Sequence, residues 1–182
     1  MVSYVELLAK ARTIHRAACC TTFRTACSTP MLIRPLVDTD LPGAARLLRV
    51  AASEFIVHES TPEGASTFLR ENDEDGLRNY VRSGHVYHVA EIDGTLAGFI
   101  GIRANNHLFH LFVDKRWHGQ GLARRLWQVA RRVAIERGGD GAFLVNSSNY
   151  AVPVYEAFGF VRMAPTQCVK GLYFNPMRYT PA

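Results

Sequence analysis

Two glycines and two arginines at the start of a helical pattern form the part of the sequence best suited to chemistry. Gly119 and Gly121 allow a tight turn in which several backbone N–H groups point at one spot. The apolar spacing that begins at Leu122 places this spot at a helix N-terminus, where free N–H groups and the helix dipole attract an anion. Arg124 and Arg125 fall in the first helical turn, where a cation costs roughly 0.3–1 kcal/mol unless an anion is bound beside it. The segment therefore predicts a site for a polyanion.

The spacing excludes two common phosphate-binding loops. A dinucleotide-binding fingerprint requires a third glycine at position 124, where this chain has arginine, and a Walker A loop requires a Gly-Lys-Ser/Thr ending that is absent. The frame that remains is His118-Gly-Gln-Gly-Leu-Ala123, which follows the apolar run Leu111-Phe-Val113. A second block, from Asn146 to Phe160, leads from a predicted strand end into a short helix.

The first segment resembles the acetyl-coenzyme A motif of the GNAT superfamily of N-acetyltransferases, Q/R-x-x-G-x-G/A, with His118 in the place of the usual glutamine or arginine. The second is similar to the family's later motif, N-x-x-A-x-x-x-Y-x-x-x-G-F, with Tyr155 in register and Asn149 one residue beyond the usual asparagine. Because two motifs occur at the proper separation, the chain is identified as a member of this superfamily over about residues 34–179.

The resemblance implies an acetyl-CoA-dependent N-acetyltransferase that moves acetyl to a primary amine of a small molecule or peptide by direct attack in a ternary complex. Family members hydrogen-bond the pantetheine arm to the strand before the loop and hold the pyrophosphate on the N–H groups of the loop. A backbone N–H near Leu111 is the implied oxyanion donor. Acetyl-CoA is thus the implied co-substrate, and no metal is expected. The implied cofactor-binding residues are Leu111, Phe112, Val113, His118, Gly119, Gln120, Gly121, Leu122, Ala123, Arg124 and Asn149.

Two residues are predicted to handle protons. The resemblance places Tyr155 where family members have the phenolic acid that protonates the leaving thiolate. His107, at the start of a predicted strand, is the favoured general base, because relatives often have a His or Glu there and an unperturbed imidazole has a pKa near 6.5. Glu54, Glu59 and water are alternatives for the base. Strict alternation along the strand would put His107 and His110 on opposite faces, so no metal site is predicted there.

The acceptor is the least defined part of the prediction. The contacts that select it are expected in residues 53–72 and in the loop 164–172, and Glu54, Glu59 and Glu63 permit a cationic small molecule. Two other hypotheses are a non-catalytic acyl-CoA-binding sensor of the same fold and a nucleic-acid-binding helix. The second is disfavoured, because residues 31–182 carry 17 basic and 15 acidic side chains once the leader is set aside. Arg131 and Arg132 are expected on a solvated outer face.

Around these residues the sequence predicts one α+β domain, a GNAT-like mixed and mostly antiparallel twisted sheet with helices on both faces. Asp93-Gly94 between two β-rich runs is typical of a hairpin turn, and the apolar spacing after Leu122 is helical. Residues 31–182 are predicted to form the acetyltransferase domain. Residues 1–30 hold most of the basic excess and are predicted to be a poorly ordered extension or a start assigned too early.

Composition excludes further classes of protein. The chain has 182 residues, of which 48% are hydrophobic and 20% charged, as in globular proteins. No apolar run approaches the roughly 18 residues of a membrane span. The four cysteines contain no CxxC pair, so neither a disulfide framework nor a zinc site is indicated. A cytoplasmic monomer or homodimer that binds neither membrane nor nucleic acid is the prediction.

Overall fold

The secondary structure alternates short strands with five helices along the part of the chain that can be described. A computed structural model describes residues 31–181, and the predictions for residues 1–30 lie outside the described residues. The strands are β1 (Met31–Pro35), β2 (Val86–Ile92), β3 (Thr95–Arg103), β4 (His107–Val113), β5 (Phe143–Ser147), β6 (Phe160–Arg162), β7 (Gln167–Val169) and β8 (Leu172–Tyr179). The helices are α1 (Leu41–Phe55), α2 (Pro62–Glu71), α3 (Glu74–Arg82), α4 (Leu122–Glu136) and α5 (Val152–Ala157). Single 3-10 turns occupy Asp38–Asp40, Val57–Glu59 and Lys115–Trp117.

All eight described strands belong to one sheet, in the order β1-β2-β3-β4-β5-β8-β6, with β7 paired to β8. The predicted hairpin turn joins β2 to β3, and both Asp93 and Gly94 have positive φ angles, of 50° and 70°. This is the backbone conformation that a tight two-residue hairpin requires and that Asp-Gly adopts readily. Ala104 and Asn105 turn the chain again, with φ angles of 50° and 57°, before β4.

Strands β4 and β5 are parallel and diverge soon after they meet. They pair only where His107 faces Leu144 and Leu108 faces Val145. Beyond Leu108 the edge of β4 that faces β5 therefore has no strand beside it among residues 31–181. The sheet opens at this point into a wedge that can receive an extended ligand.

Apolar cores lie on both faces of the sheet. On one face, α4 and α5 bury Leu126, Trp127 and Tyr155 against strand residues such as Ile100. On the other face, α1 and α3 cover a second cluster that includes Phe99, which is fully buried. The predicted α+β class, with a mostly antiparallel sheet and helices on both faces, is confirmed.

A β-bulge corrects one prediction about β4. Gly101 pairs with His110 and Ile102 pairs with Leu108, so Phe109 is an extra residue without a partner on β3. Because the bulge breaks the alternation, His107 and His110 lie on the same face of the sheet. The prediction of opposite faces was wrong, since it assumed an uninterrupted strand.

A second difference concerns the segment 164–172. The sequence predicts a loop there, whereas residues Gln167–Val169 form β7 and turn back into β8 through Lys170 and Gly171, both at positive φ. No helix within residues 31–181 is long and apolar enough to cross a membrane. Within the same residues, no group of three or more His, Cys, Asp or Glu side chains is placed to hold a metal ion.

Candidate active site

A cavity of about 510 Å³ lies in the wedge between β4 and β5. Its walls come from the end of α1, the diverging half of β4, the loop and first turn of α4, and α5. It therefore brings together residues that are more than forty positions apart in the chain. The predicted site residues that line it are Leu111, Phe112, Val113, His118, Gly119, Gly121, Leu122, Ala123, Arg124 and Tyr155.

The free edge of β4 offers backbone groups to this cavity. The Asp114 N–H donates to the Ala97 carbonyl oxygen at 2.9 Å, and the strand register continues from there without a bulge as far as His110. Because hydrogen-bonded pairs alternate along antiparallel strands, the N–H and C=O groups of Leu111 and Val113 point away from β3 and into the wedge. An extended amide-bearing ligand can pair with them as an added strand does.

The glycine loop presents a cluster of unpaired donors beside that edge. Gly119 and Gly121 have φ angles of 72° and 78°, in the left-handed region, and Gly121 is the N-cap of α4. In residues 31–181, the N–H groups from Gly119 to Arg124 meet no acceptor in hydrogen-bond geometry. These N–H groups and the positive end of the dipole of a 15-residue helix suit the loop to a phosphate.

The arginines of α4 do not form a single exposed stripe. Arg124 donates to the Ala157 carbonyl at 2.9 Å and lies over the Phe158 ring, which joins the start of α4 to the end of α5 at the cavity wall. Arg131 stacks on Tyr179, with its guanidinium carbon 4.7 Å from the ring centroid. The expectation of a solvated outer face therefore needs correction for Arg131, since its guanidinium packs on an aromatic ring.

Tyr155 faces the cavity from α5. Its side chain is 6% exposed and packs edge-on against Phe158 and Phe160. Burial raises the pKa of its hydroxyl above the ordinary tyrosine value. The phenol therefore stays protonated at neutral pH and can serve as a proton donor.

The acetyltransferase (GNAT) domain family matches residues 56–181, which is most of the described chain. The chain belongs to the GNAT family. Among curated relatives it is similar to probable N-acetyltransferase family 8 member 5 of Mus musculus, with 31% identity over 99 residues that cover 48% of this chain and 44% of the relative. It is also similar to the uncharacterized N-acetyltransferase YjgM of Escherichia coli, with 27% identity over 138 residues that cover 71% and 81% of the two chains.

Solved structures show the same GNAT fold. A GCN5-related N-acetyltransferase from Rhodopseudomonas palustris superposes with a TM-score of 0.71 at 21% identity and covers 85% of this chain and 97% of its own. The PaiA N-acetyltransferase from Thermoplasma acidophilum, solved in complex with coenzyme A, gives a TM-score of 0.68 at 20% identity, with 84% and 99% covered. At these identities the likeness establishes the architecture of the GNAT domain.

Three predicted site residues of this GNAT domain lie outside the lining of the cavity. Gln120 is exposed and its amide donates to the Arg116 carbonyl at 3.0 Å. The side-chain amide of Asn149 is bonded at both ends to other side chains, Glu59 and Asn175. His107 packs near Phe109 on the face covered by α1 and α3. The structure does not bring Asn149 or His107 into the lining of the cavity, because long-range contacts and the bulge set their directions.

The histidines on β4 are held neutral. Burial lowers the pKa of His107 to about 4, with smaller contributions from the positive charge of Arg103 and from His85. Burial also lowers the pKa of His110 to about 3, and its Nδ1 lies 2.9 Å from the Tyr87 hydroxyl. His110 is buried against the α3 residue Tyr80.

Aromatic residues that the sequence analysis missed close one side of the cavity. The rings of Phe55 and Tyr150 stack with centroids 4.2 Å apart, and the His118 ring lies 5.9 Å from that of Phe55. The Nε2 atom of His118 is 2.9 Å from the Val113 carbonyl oxygen, on the free edge of β4. Phe55 is an apolar residue at the end of α1, and in the sequence such a residue looks the same whether it lines a cavity or packs in the core. Its place in the cavity wall could therefore not be predicted.

Proposed function

We propose that this protein is an acetyl-CoA-dependent N-acetyltransferase that transfers acetyl to a primary amine by direct attack in a ternary complex. The observation that carries the proposal is the single cavity shared by the free edge of β4, the glycine loop and Tyr155. The free edge of β4 suits a pantetheine arm and the glycine loop suits a pyrophosphate. Tyr155 is suited to protonate the sulfur that leaves the thioester. Membership of the GNAT family supports acetyl transfer as the class of reaction. The primary amine as acetyl acceptor is part of the proposal.

The chain's own groups would share the binding of acetyl-CoA. Leu111 and Val113 offer backbone donors and acceptors to the amides of the pantetheine arm. The N–H groups from Gly119 to Arg124 receive the pyrophosphate, and the first turn of α4 adds the field of its dipole. To free the Val113 carbonyl for the arm, the His118 imidazole must move from its position 2.9 Å away.

The transfer step balances without any further reactant. The amine nitrogen forms the C–N bond and the thioester C–S bond breaks. The leaving sulfur takes the proton of the Tyr155 hydroxyl, while the nitrogen, which starts as an ammonium, loses one proton to solvent before it attacks and a second in becoming an amide. One of these protons restores Tyr155 through solvent and the other is released. A backbone N–H near Leu111 donates to the oxyanion formed between these events, a contribution typically worth 10²–10³ in rate.

His107→Ala is expected to leave the acid limb of the pH profile of kcat/KM in place. Burial holds the pKa of His107 near 4, so its imidazole is already neutral where an alkylammonium acceptor begins to react. Its placement outside the cavity also separates it from the acceptor nitrogen. Rates measured from pH 5 to 9 with wild type and variant check this, and an acid limb lost in the variant would restore His107 as the general base.

Acetyl-CoA and a panel of primary amines test the proposed function directly. Release of coenzyme A, followed with a thiol reagent, is expected to depend on one or more of the amines, and mass spectrometry should show an acetylated product. Tight binding of acetyl-CoA in calorimetry without amine-dependent thiol release would contradict the proposal. That result would favour the alternative, a non-catalytic acyl-CoA-binding sensor.

A further inference from the structure

A chain of side-chain hydrogen bonds runs from Thr166, just before β7, through Asn175 on β8 to an exposed carboxylate near the cavity. Thr166 Oγ1 donates to Asn175 Oδ1 at 2.8 Å, and Asn175 Nδ2 donates to Asn149 Oδ1 at 2.8 Å. Asn149 Nδ2 then donates to Glu59 Oε2 at 2.7 Å. Asn175 is fully buried, and the mechanism proposed above uses none of these four side chains.

The direction of this chain is fixed by a backbone group. Asn175 Nδ2 also donates to the Ser147 carbonyl at 3.2 Å, and a carbonyl can only accept. The Asn175 amide must therefore present its remaining N–H to Asn149, so that Asn149 must present its oxygen to Asn175 and its own N–H groups outward. A hydrogen-bond acceptor is therefore required at the outer end of this chain, and the negatively charged carboxylate of Glu59 provides it.

Glu59 differs from the two other carboxylates near the acceptor segment. Glu54 is neutralised by an ion pair with Lys115, and it lines a neighbouring cavity. Glu63 is exposed in the first turn of α2, without a hydrogen bond to the loop between β5 and α5. Glu59 uses one oxygen for Asn149, and its side chain remains 36% exposed, so further lone pairs are free to bind a ligand.

The position of Glu59 places its charge at the rim of the cavity. Asn149, to which it is bonded, lies between Ser148 and Tyr150, and both of these residues line the cavity. Glu59 itself is outside the lining, which separates it from the reacting thioester. The exposed His58 has its Nε2 atom 3.8 Å from Glu59 Oε1, beyond hydrogen-bond distance, so it does not occupy that oxygen.

We propose that Glu59 binds a second positively charged group of the acceptor, at a distance from the attacking nitrogen, and that Asn149 is the positioning residue that aims it. The acceptor class is then a primary amine that also carries another cationic group. This inference rests on the proposed N-acetyltransferase function. A carboxylate held in place by a satisfied hydrogen-bond network loses little rotamer entropy when a cation binds, which favours recognition at that point.

Glu59→Gln separates recognition from a purely structural role. The glutamine oxygen can still accept from Asn149, so the turn Val57–Glu59 stays connected to β8 while the negative charge is removed. Thermal unfolding of this variant is expected to match that of the wild type. Glu63→Gln is the matched control, because it removes an equal charge four residues away.

The experiment compares 1,4-diaminobutane with butylamine, which has the same carbon chain and no second charge. Wild type is expected to have the lower KM for the diamine. Glu59→Gln should raise that KM by about fivefold with little change in kcat, the loss expected for one exposed ion pair, and leave butylamine unchanged. Asn149→Ala should shift the diamine KM in the same direction, and Glu63→Gln should shift neither KM.

Three results would overturn the inference and leave the proposed function standing. These are equal KM values for the two amines in the wild type, a diamine KM unaffected by Glu59→Gln, and acetylation of other amines without acetylation of the diamine. Absence of thiol release with every amine would instead overturn the proposed function, and this inference with it.

Discussion

Gly121→Glu is expected to weaken coenzyme A binding by at least about a hundredfold, because it disrupts charge-assisted hydrogen bonds worth roughly 1.5–3 kcal/mol each. Gly121 has a φ angle of 78°, and an added Cβ there would meet no atom within 4 Å. The loss would therefore come from two other sources. A non-glycine residue is strained in the left-handed region, and the new carboxylate would stand among the N–H groups that receive the pyrophosphate.

Two further variants distinguish the effect of backbone strain from the effect of the added charge. Gly121→Ala introduces the backbone strain without the charge and is expected to weaken binding by less. Gly138→Glu carries the same charge at a φ angle of 94°, beyond the last turn of α4, and an added Cβ there also meets nothing within 4 Å. Its affinity for coenzyme A should equal that of the wild type. Isothermal calorimetry measures all three, and an unchanged dissociation constant for Gly121→Glu would contradict the assignment of the loop.

The parts of the fold that the sequence could predict are those whose signals are local. Asp93-Gly94 and the Gly119/Gly121 pair are short sequences that favour positive φ angles, and the structure has positive φ angles at all four residues. The apolar spacing from Leu122 onward depends only on the helical repeat, and α4 begins at that residue. Local geometry of this kind is encoded by the residues that adopt it.

The parts that could not be predicted depend on contacts between distant segments. The bulge at Phe109 arises in the pairing of β4 with β3, where Gly101 leaves no Cβ; one built there would lie 2.2 Å from the Tyr87 ring. Nothing within β4 indicates this. The direction of the Asn149 amide is set by Asn175, 26 residues later, and Glu59 is 90 residues earlier than Asn149. Side-chain networks across such separations leave no periodic pattern in a sequence.

Tyr155→Phe is expected to lower kcat by about 10²-fold, the low end of what a positioned general acid contributes, and to leave the affinity for acetyl-CoA unchanged. The ring packs between Phe158 and Phe160, and phenylalanine can keep those contacts, so the fold should be retained. Without the hydroxyl, the thiolate must leave with its negative charge or take a proton from water. Steady-state rates and calorimetry on the same preparations measure the two quantities.

The pH dependence strengthens this test because the sign of the pKa shift is known. Burial disfavours the phenolate and raises the pKa of Tyr155, so the acid form is present below that raised pKa and is lost only above it. The wild-type kcat should accordingly show no alkaline limb from Tyr155 below the ordinary tyrosine pKa of about 10. Tyr173→Phe, which removes an exposed hydroxyl on β8, is the matched control and should not change kcat. A Tyr155→Phe variant with wild-type kcat would assign protonation of the thiolate to solvent, and Tyr155 would then act only as a wall of the cavity.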